Sequence, residues 1–206
     1  EEERGKGELV WVSWRRSCLF NITNTYEKEK EIMCSRYFIT VEKGKQRDVR
    51  PSDCAPVICL KNGQMFAVRQ RWGFTSEGGK LVINARAESA LDKPMFSESL
   101  LKRRLVIPAD GFYEWNSQRE KHIFTAEKEK LYMAGFCRWE GEEWRFCILT
   151  TQANPSVKPV HARMPLILKE NQVEEWLKNE ERLREFLGQE PEPLKREAPY
   201  EQLSLF

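Results

Sequence analysis

Met33 and Cys34 are the two residues of this chain whose types and position allow the most distinctive chemistry. An initiator methionine is normally removed before a small residue such as cysteine, which would leave Cys34 with a free α-amine beside its thiol. An α-amine, with a pKa of roughly 8, can condense with an aldehyde to form an imine. The thiol can then close a five-membered thiazolidine ring. An internal cysteine cannot do this, because its nitrogen belongs to an amide.

This chemistry depends on the segment that precedes Met33. Residues 1–32 begin with Glu1 instead of methionine and show charge runs without a sustained apolar period. Lys28-Glu29 can be encoded by AAG-GAG, a bacterial ribosome-binding sequence, a short distance before the Met33 codon. We therefore predict that residues 1–32 are translated upstream DNA or a leader that is removed. A genuine N-terminal extension or a propeptide is the alternative.

Five short segments combine groups that can move protons with groups that can bind phosphates or bases. They are residues 33–37 (MCSRY), 71–74 (RWGF), 84–88 (NARAE), 108–115 (PADGFYEW) and 161–165 (HARMP). In order and spacing they closely resemble the SOS-response-associated peptidase (SRAP) family, and the resemblance covers residues 33–170. Each segment alone would be a weak signal, but five in order are a strong one. Ser35 is a departure, because members of the family commonly carry glycine there.

The resemblance implies a function and a set of catalytic residues. Members of this family bind single-stranded DNA and form a covalent link to abasic sites. By this resemblance Cys34 is the nucleophile, Asn84 positions the amine or sugar, Glu114 is the general acid and base, and His161 assists ring opening and proton transfer. A carboxyl group in an aromatic setting favours its protonated form, and an imidazole serves near neutral pH, so both residue types suit these steps.

The same resemblance implies a positively charged DNA-binding groove. Arg36, Arg86 and Arg163 would hold phosphates, which guanidinium groups can do with two parallel hydrogen bonds. Trp72 and Trp115 would contact the DNA near the lesion, because aromatic rings stack on unpaired bases whatever their sequence. The arginines could instead be solvated charges and the tryptophans core residues. His122 and the cysteines Cys54, Cys59, Cys137 and Cys147 are interpreted as structural.

Three functions are compatible with these residues. The leading hypothesis is a protein that crosslinks abasic single-stranded DNA through a thiazolidine at Cys34. The first alternative is a thiol autopeptidase, in which Cys34 attacks the preceding peptide bond and removes its own N-terminal segment. The second alternative is a single-stranded DNA-binding module without catalytic activity.

The elements that must position these residues are mostly strands. Strands are predicted at residues 65–72, 104–108, 122–126, 131–136, 146–151 and 164–168, which are rich in β-branched and aromatic residues. A short helix is predicted at 97–102 and a longer one at 171–187, with Gly188 at its C-terminal end. Few helices separate the strands, so we expect a compact, β-rich α+β domain at residues 33–188 built on an antiparallel sheet or barrel.

The C-terminal segment changes character after Gly188. Residues 189–200 hold three prolines and several charges, which predicts a disordered tether. The tether leads to the apolar sequence QLSLF at the end of the chain. Gln202, Leu203, Leu205 and Phe206 resemble the motif by which bacterial proteins bind the sliding clamp, so we expect this partner and location at replication forks. A terminal strand that packs back on the domain is the alternative.

Composition narrows the class of protein. The chain has 206 residues, 40% hydrophobic and 32% charged, with a net charge of +2, so a DNA-binding surface would have to be local. Six cysteines form no Cys-x-x-Cys pair, and only two histidines are present, so neither a metal nor another cofactor is expected. No apolar run reaches the roughly 20 residues of a membrane span. We expect a monomeric protein of a reducing cytoplasm.

Overall fold

The computed structural model describes residues 10–11, 35–41, 44–127 and 130–198. Side chains are described for all of these residues except 10–11. The strands are β1 (Val10–Trp11), β2 (Tyr37–Thr40), β3 (Gln46–Val49), β4 (Cys54–Lys61), β5 (Gln64–Trp72), β6 (Phe74–Thr75), β7 (Leu81–Val82), β8 (Asn84–Arg86), β9 (Arg104–Ala109), β10 (Gly111–Trp115), β11 (Lys121–Thr125), β12 (Leu131–Glu140), β13 (Glu143–Gln152), β14 (Arg163–Pro165), β15 (Ile167–Leu168) and β16 (Lys195–Glu197). The helices are α1 (Pro94–Lys102), α2 (Val173–Lys178) and α3 (Leu183–Gly188), with 3₁₀ turns at Ala87–Ser89 and Glu170–Gln172.

A closed barrel forms the centre of the domain. Antiparallel pairings join β5 to β4, β4 to β9, β9 to β12 and β12 to β13. A parallel pairing of β13 with β5, in which Phe146 lies opposite Trp72, closes the ring. The six predicted strands are present with shifted ends, the last of them divided between β14 and β15. The predicted β-rich α+β fold with a barrel-like antiparallel sheet is confirmed.

A second antiparallel sheet covers one side of the barrel, in the order β16-β11-β10-β2-β3. Its inner face contributes Tyr37, Phe112 and Phe124 to the same apolar cluster as the barrel residues Ile107 and Met133. At Gly111 a Cβ atom would lie 2.5 Å from the Phe38 ring and 2.6 Å from the carbonyl oxygen of Phe124. Glycine therefore lets β10 approach both of its neighbours closely.

The helices pack against a second apolar cluster on another face of the barrel. Trp176 of α2 is fully buried and donates a hydrogen bond from Nε1 to the carbonyl oxygen of Leu105, at 3.0 Å. The single helix predicted at 171–187 is wrong, because Asn179 is extended (φ −100°, ψ 109°) and separates α2 from α3. Its side chain accepts hydrogen bonds from the amides of residues 181 and 182 and starts the next turn. Among the described helices, none has the length and apolarity of a membrane span.

The first part of the predicted tether is ordered on the domain. The Asn154 amide donates hydrogen bonds to the carbonyl oxygens of Pro191 (3.0 Å) and Glu192 (2.8 Å). β16 then extends the second sheet by pairing with β11. The prediction of disorder is therefore wrong for residues 189–198, whose backbone groups find partners in the domain. Residues 199–206, including Gln202, Leu203, Leu205 and Phe206, lie outside the described residues.

Candidate active site

The segment that follows Cys34 runs beside the strand that carries Glu114. Cys34 itself lies outside the described residues, which resume at Ser35. Phe112 pairs with Tyr37, and the carbonyl oxygen of Arg36 accepts a hydrogen bond from the amide of Tyr113 at 3.0 Å. The pairing brings parts of two predicted segments, residues 33–37 and 108–115, into one sheet.

Glu114 lies on the inner face of this sheet and is 3% exposed. One pair further along the same face, the rings of Phe112 and Phe124 stack with their centroids 5.2 Å apart. Glu114 is thus a buried acid on the same face as two stacked aromatic rings. Directly opposite Glu114, on β11, lies His122.

β13 brings two further segments together. β8, which contains Asn84 and Arg86, pairs with β13 on one side, and β14, which begins at Arg163, pairs with it on the other. Thr150 is the meeting point, because it lies opposite both Arg86 and Pro165. Residues 84–88 and 161–165 are far apart in the sequence, and this strand makes them neighbours.

Arg163 is held by groups of the protein. Its guanidinium group forms a two-pronged contact with the Glu88 carboxylate, at 2.5 and 2.9 Å, and donates to the carbonyl oxygen of Thr150 at 2.6 Å. These bonds occupy both terminal nitrogens. In the structure Arg163 therefore fixes residues 161–165 to β13 and to Glu88, and its assignment to a DNA phosphate stays a prediction. Glu88, to which the sequence assigned no role, belongs to the site.

His161 is placed so that it can gain or lose a proton without moving. Its Nδ1 atom lies 3.1 Å from both the backbone nitrogen and the carbonyl oxygen of Arg163. When Nδ1 is unprotonated it accepts a hydrogen bond from the amide, and when protonated it donates one to the carbonyl group. Both states of the imidazole have a backbone partner, and this is a useful property for a group that transfers protons.

The Glu88–Arg163 contact predicts a pH-dependent contribution to stability. Hydrogen bonds from Arg163 hold the pKa of the Glu88 carboxyl below its usual range, so the contact is present above a pH of about 4.3 and is lost as the pH falls through the lower folded-state value. We expect Glu88→Gln to lower the free energy of unfolding at pH 7 by about 0.5 kcal/mol, since the carboxylate is partly exposed. Urea unfolding at pH 7 and at pH 3 measures this difference.

The matched control is Glu174→Gln, which removes an exposed pair with Lys178 on a helix surface. The stability difference between the wild type and Glu88→Gln should shrink towards zero at pH 3. A difference that persists at pH 3 would contradict the electrostatic origin of the effect.

Arg36, Trp115 and Arg86 remain open towards solvent. The guanidinium carbon of Arg36 lies 5.5 Å from the centre of the Trp115 ring, and both side chains are half-buried. Arg86 is exposed at the end of β8. These three residues keep a cation or an aromatic face accessible, as a DNA-contacting residue must.

Trp72 has no solvent-accessible aromatic face. Its ring is fully buried, lies 5.2 Å from the Tyr37 ring and donates from Nε1 to the carbonyl oxygen of Ile83 at 2.9 Å. The expectation that Trp72 contacts DNA is therefore corrected to a core role. The indole connects the segment after Cys34 to the residue before Asn84, and so it sets the relative position of two parts of the site.

We expect Trp72→Phe to lower the free energy of unfolding by roughly 1–3 kcal/mol, because the smaller ring leaves space and the Ile83 carbonyl loses its buried donor. Denaturant unfolding measures the change. Trp139→Phe is the control, since Trp139 is 56% exposed and should change stability by about 0.5 kcal/mol or less. Unchanged stability together with weaker binding of single-stranded DNA would contradict the core role.

Three of the four described cysteines lie in the core. Cys59, Cys137 and Cys147 are buried, and burial raises the pKa of the Cys147 thiol. A buried thiol with a raised pKa is a poor nucleophile. Within the described ranges, no group of three or more His, Cys, Asp or Glu side chains is arranged to hold a metal ion.

The sequence is similar to that of a characterised family. A profile of the SOS response associated peptidase (SRAP) family matches residues 19–202. The abasic site processing protein YoqW of Bacillus subtilis (strain 168) is 36% identical over 116 residues. The matched region is 52% of this chain and 52% of YoqW, so the chain spans about half the length of this relative. The abasic site processing protein HMCES of Gallus gallus is 27% identical over 211 residues, 79% of this chain and 61% of that protein.

A crystal structure of a protein from Bordetella bronchiseptica shares the fold. It superimposes with a TM-score of 0.69 at 23% identity and covers 80% of this chain and 99% of that chain. The likeness concerns the arrangement of strands and helices.

Proposed function

The chain belongs to the SOS response associated peptidase family, and from this premise we propose that it captures abasic sites in single-stranded DNA through a covalent bond to Cys34. The relatives YoqW and HMCES are both named abasic site processing proteins. The observation that carries the proposal is the pairing of the segment after Cys34 with the strand of the buried Glu114. This pairing supports a role for the Glu114 carboxyl group as proton donor and acceptor in a reaction at Cys34.

The proposed reaction joins an aldehyde to an amine and a thiol. The abasic sugar, mostly a closed hemiacetal, first opens to its aldehyde with the help of His161 and Glu114. The α-amine of Cys34 attacks the aldehyde carbon, and Glu114 protonates the departing hydroxyl group, so that water leaves and an imine forms. The thiol adds to the imine carbon while its proton passes to the nitrogen. The sum is aldehyde plus aminothiol giving thiazolidine plus one water.

The other residues position the DNA. Asn84, at the start of β8, orients the amine or the sugar. Arg36 and Arg86 bind phosphates without reading the base sequence, and the exposed part of Trp115 stacks on a base. Arg163 is bound to Glu88 in the structure. It can bind a DNA phosphate only when the phosphate displaces the Glu88 carboxylate from its guanidinium group.

A gel assay tests this function. Protein translated from Met33, which exposes Cys34 once the methionine is removed, is mixed with a single-stranded oligonucleotide that carries one abasic site. We expect a shifted band on a denaturing gel, and none with an intact oligonucleotide. The chain that retains residues 1–32 is the matched control, because its Cys34 has no free amine. Absence of a shifted band with the Met33 protein would overturn the proposal.

The autopeptidase alternative makes a different prediction for the N-terminus. In that reaction Cys34 cleaves the bond before itself, so the full chain would convert to one that begins at Cys34. Mass spectrometry of the full chain after incubation distinguishes the two functions. A non-catalytic module would give neither the crosslink nor the cleavage.

We also propose that Gln202, Leu203, Leu205 and Phe206 bind the bacterial sliding clamp, in keeping with the resemblance of QLSLF to the clamp-binding motif. Such binding would bring the domain to replication forks, where single strands with abasic sites occur. Deletion of residues 202–206 is expected to abolish retention by immobilised clamp. Retention that survives the deletion would exclude this contact.

A further inference from the structure

His122 is a buried imidazole in a position where an apolar side chain would cost less. It is 8% exposed, and within the described part of the chain neither ring nitrogen has a hydrogen-bond partner. Burying a polar group without a partner costs about 1–3 kcal/mol. The inward-facing neighbours Phe112 and Phe124 show that this face accepts phenylalanine. A purely structural role therefore does not account for a histidine here.

The sheet places His122 directly against Glu114. The two residues are opposite each other in the antiparallel pair of β10 and β11, so both side chains leave the same face. Directly opposed residues have Cβ atoms about 4.5–5.5 Å apart. The next pair along the same face, Phe112 and Phe124, has its rings in stacking contact at 5.2 Å. Glu114 and His122 thus leave adjacent positions of one face, but no hydrogen bond joins them in the structure, so exchange of a proton between them requires rotation of a side chain.

The strand register also places other ionisable groups of the described residues around this pair. On β2, Tyr37 lies opposite Phe112, and on β16, Arg196 lies opposite Phe124. Lys121 belongs to the outer face, where its Nζ atom lies 4.3 Å from the centre of the Tyr113 ring. The apolar cluster that contains Phe112 and Phe124 also includes the barrel and loop residues Leu131, Met133 and Val157.

We propose that His122 is a positioning residue for Glu114 and exchanges one proton with its carboxyl group. The inference rests on the proposed function of Glu114. With the proton on His122, Glu114 is a carboxylate and can accept the hemiacetal proton. With the proton returned to the carboxyl oxygen, Glu114 can protonate the hydroxyl group that leaves during imine formation. The transfer is balanced, because the oxygen gains the proton that the ring nitrogen loses.

This pairing explains how one buried carboxyl group can act first as a base and then as an acid. Glu114 is almost fully enclosed, so exchange of protons with bulk solvent is restricted. A second group on the same face that can carry a proton keeps that proton near the carboxyl group. His161 has its own backbone partners and is a separate proton donor and acceptor.

Variants at position 122 test the proposal in the crosslinking assay. His122→Phe should fold with equal or greater stability, because it removes an unpartnered polar ring, yet it should slow crosslinking by about tenfold. The pH at which the crosslinking rate falls on the acidic side of its profile should also change. His122→Gln, which can hydrogen-bond but cannot carry the proton, should be similarly slow. Phe124→Leu, a neighbour on the same face, controls for altered packing.

A wild-type rate and pH profile in both His122 variants would overturn the inference, as would an equal loss of rate in Phe124→Leu. Failure of the wild type to crosslink at all would instead overturn the proposed function. The two failures are therefore distinguishable.

A second measurement does not depend on crosslinking or on Cys34. The chain has two histidines, so NMR titration of the full chain can follow the ring of His122, with a His161 variant for assignment. Glu114→Gln should move the titration midpoint of His122 and leave that of His161 in place. An identical His122 titration in the two proteins would overturn the proton exchange, even if the His122→Phe variant does not fold.

Discussion

Cys34→Ser is expected to abolish the heat-resistant crosslink while affinity for single-stranded DNA stays unchanged. The serine hydroxyl is a weak nucleophile at neutral pH and does not replace the thiol in closing the ring. Because the α-amine is still present in a protein that begins at this serine, a reversible imine should still form. Reduction with borohydride should then trap an adduct with Cys34→Ser but not with the chain that retains residues 1–32. Denaturing gels with and without borohydride separate the two steps.

Cys54→Ser is the matched control for this variant. Cys54 is a half-buried thiol on β4, in a different segment of the chain, and its replacement should leave the crosslink intact. A stable crosslink from Cys34→Ser would contradict the thiazolidine. Loss of DNA affinity in the same variant would indicate that the substitution disturbs the site, and would contradict a role confined to chemistry.

Glu114→Gln is expected to slow crosslinking by about 10²–10⁴-fold, the usual contribution of a general acid or base. Glutamine has nearly the same shape, so the buried position on β10 should still pack and DNA should still bind. The first-order rate at saturating DNA measures the effect, and release of the adduct should slow in parallel, because the reverse reaction needs the same proton transfers.

Glu120→Gln provides the comparison, because Glu120 is an exposed acid in the turn after β10 and hydrogen-bonds with the Asn116 side chain. It should leave the rate unchanged. An unchanged rate in Glu114→Gln would remove Glu114 from the proposed mechanism. A fall in DNA affinity without a fall in the saturated rate would assign it to binding instead.

Local sequence predicts the strands better than it predicts their partners. Residues 65–72 predict a strand and β5 occupies this segment, with Ala67 and Trp72 buried and Arg69 exposed, although the polar Gln70 is also buried. The parallel contact of β5 with β13 joins residues far apart in the chain, and no local pattern encodes it. The apolar positions of residues 171–187 repeat with the spacing of one continuous helix. Asn179 interrupts it because its side chain bonds with the amides that follow.

The sequence predicts which types of residue the site contains, but it does not predict which residues they contact. The burial of Glu114 is consistent with the apolar residues Phe112 and Phe124 on the same face of the sheet, and Phe112 can be read from the local alternation. The burial of Trp72 and the contact of Arg163 with Glu88 cannot, because each depends on a strand from another part of the chain. Glu88 belongs to the segment 84–88, and the nearby Arg86 of that segment is the only local indication that Glu88 could pair with an arginine. His122 had no such signal, because it is opposite Glu114 only through the register of β10 and β11.

Backbone hydrogen bonds join β13 to three of the five segments, either within the segment or at the residue next to it. The amide of Gly73 donates to Phe146, the amide of Ile148 donates to Ile83, and the amide of Leu166 donates to Leu149. These bonds belong to the strand that also closes the barrel, so they should open only when the whole domain unfolds. Slow hydrogen exchange at these amides would then report global stability. The parts of the site they anchor would stay in register with one another until the domain melts, without a partly open state in which Asn84 and His161 drift apart.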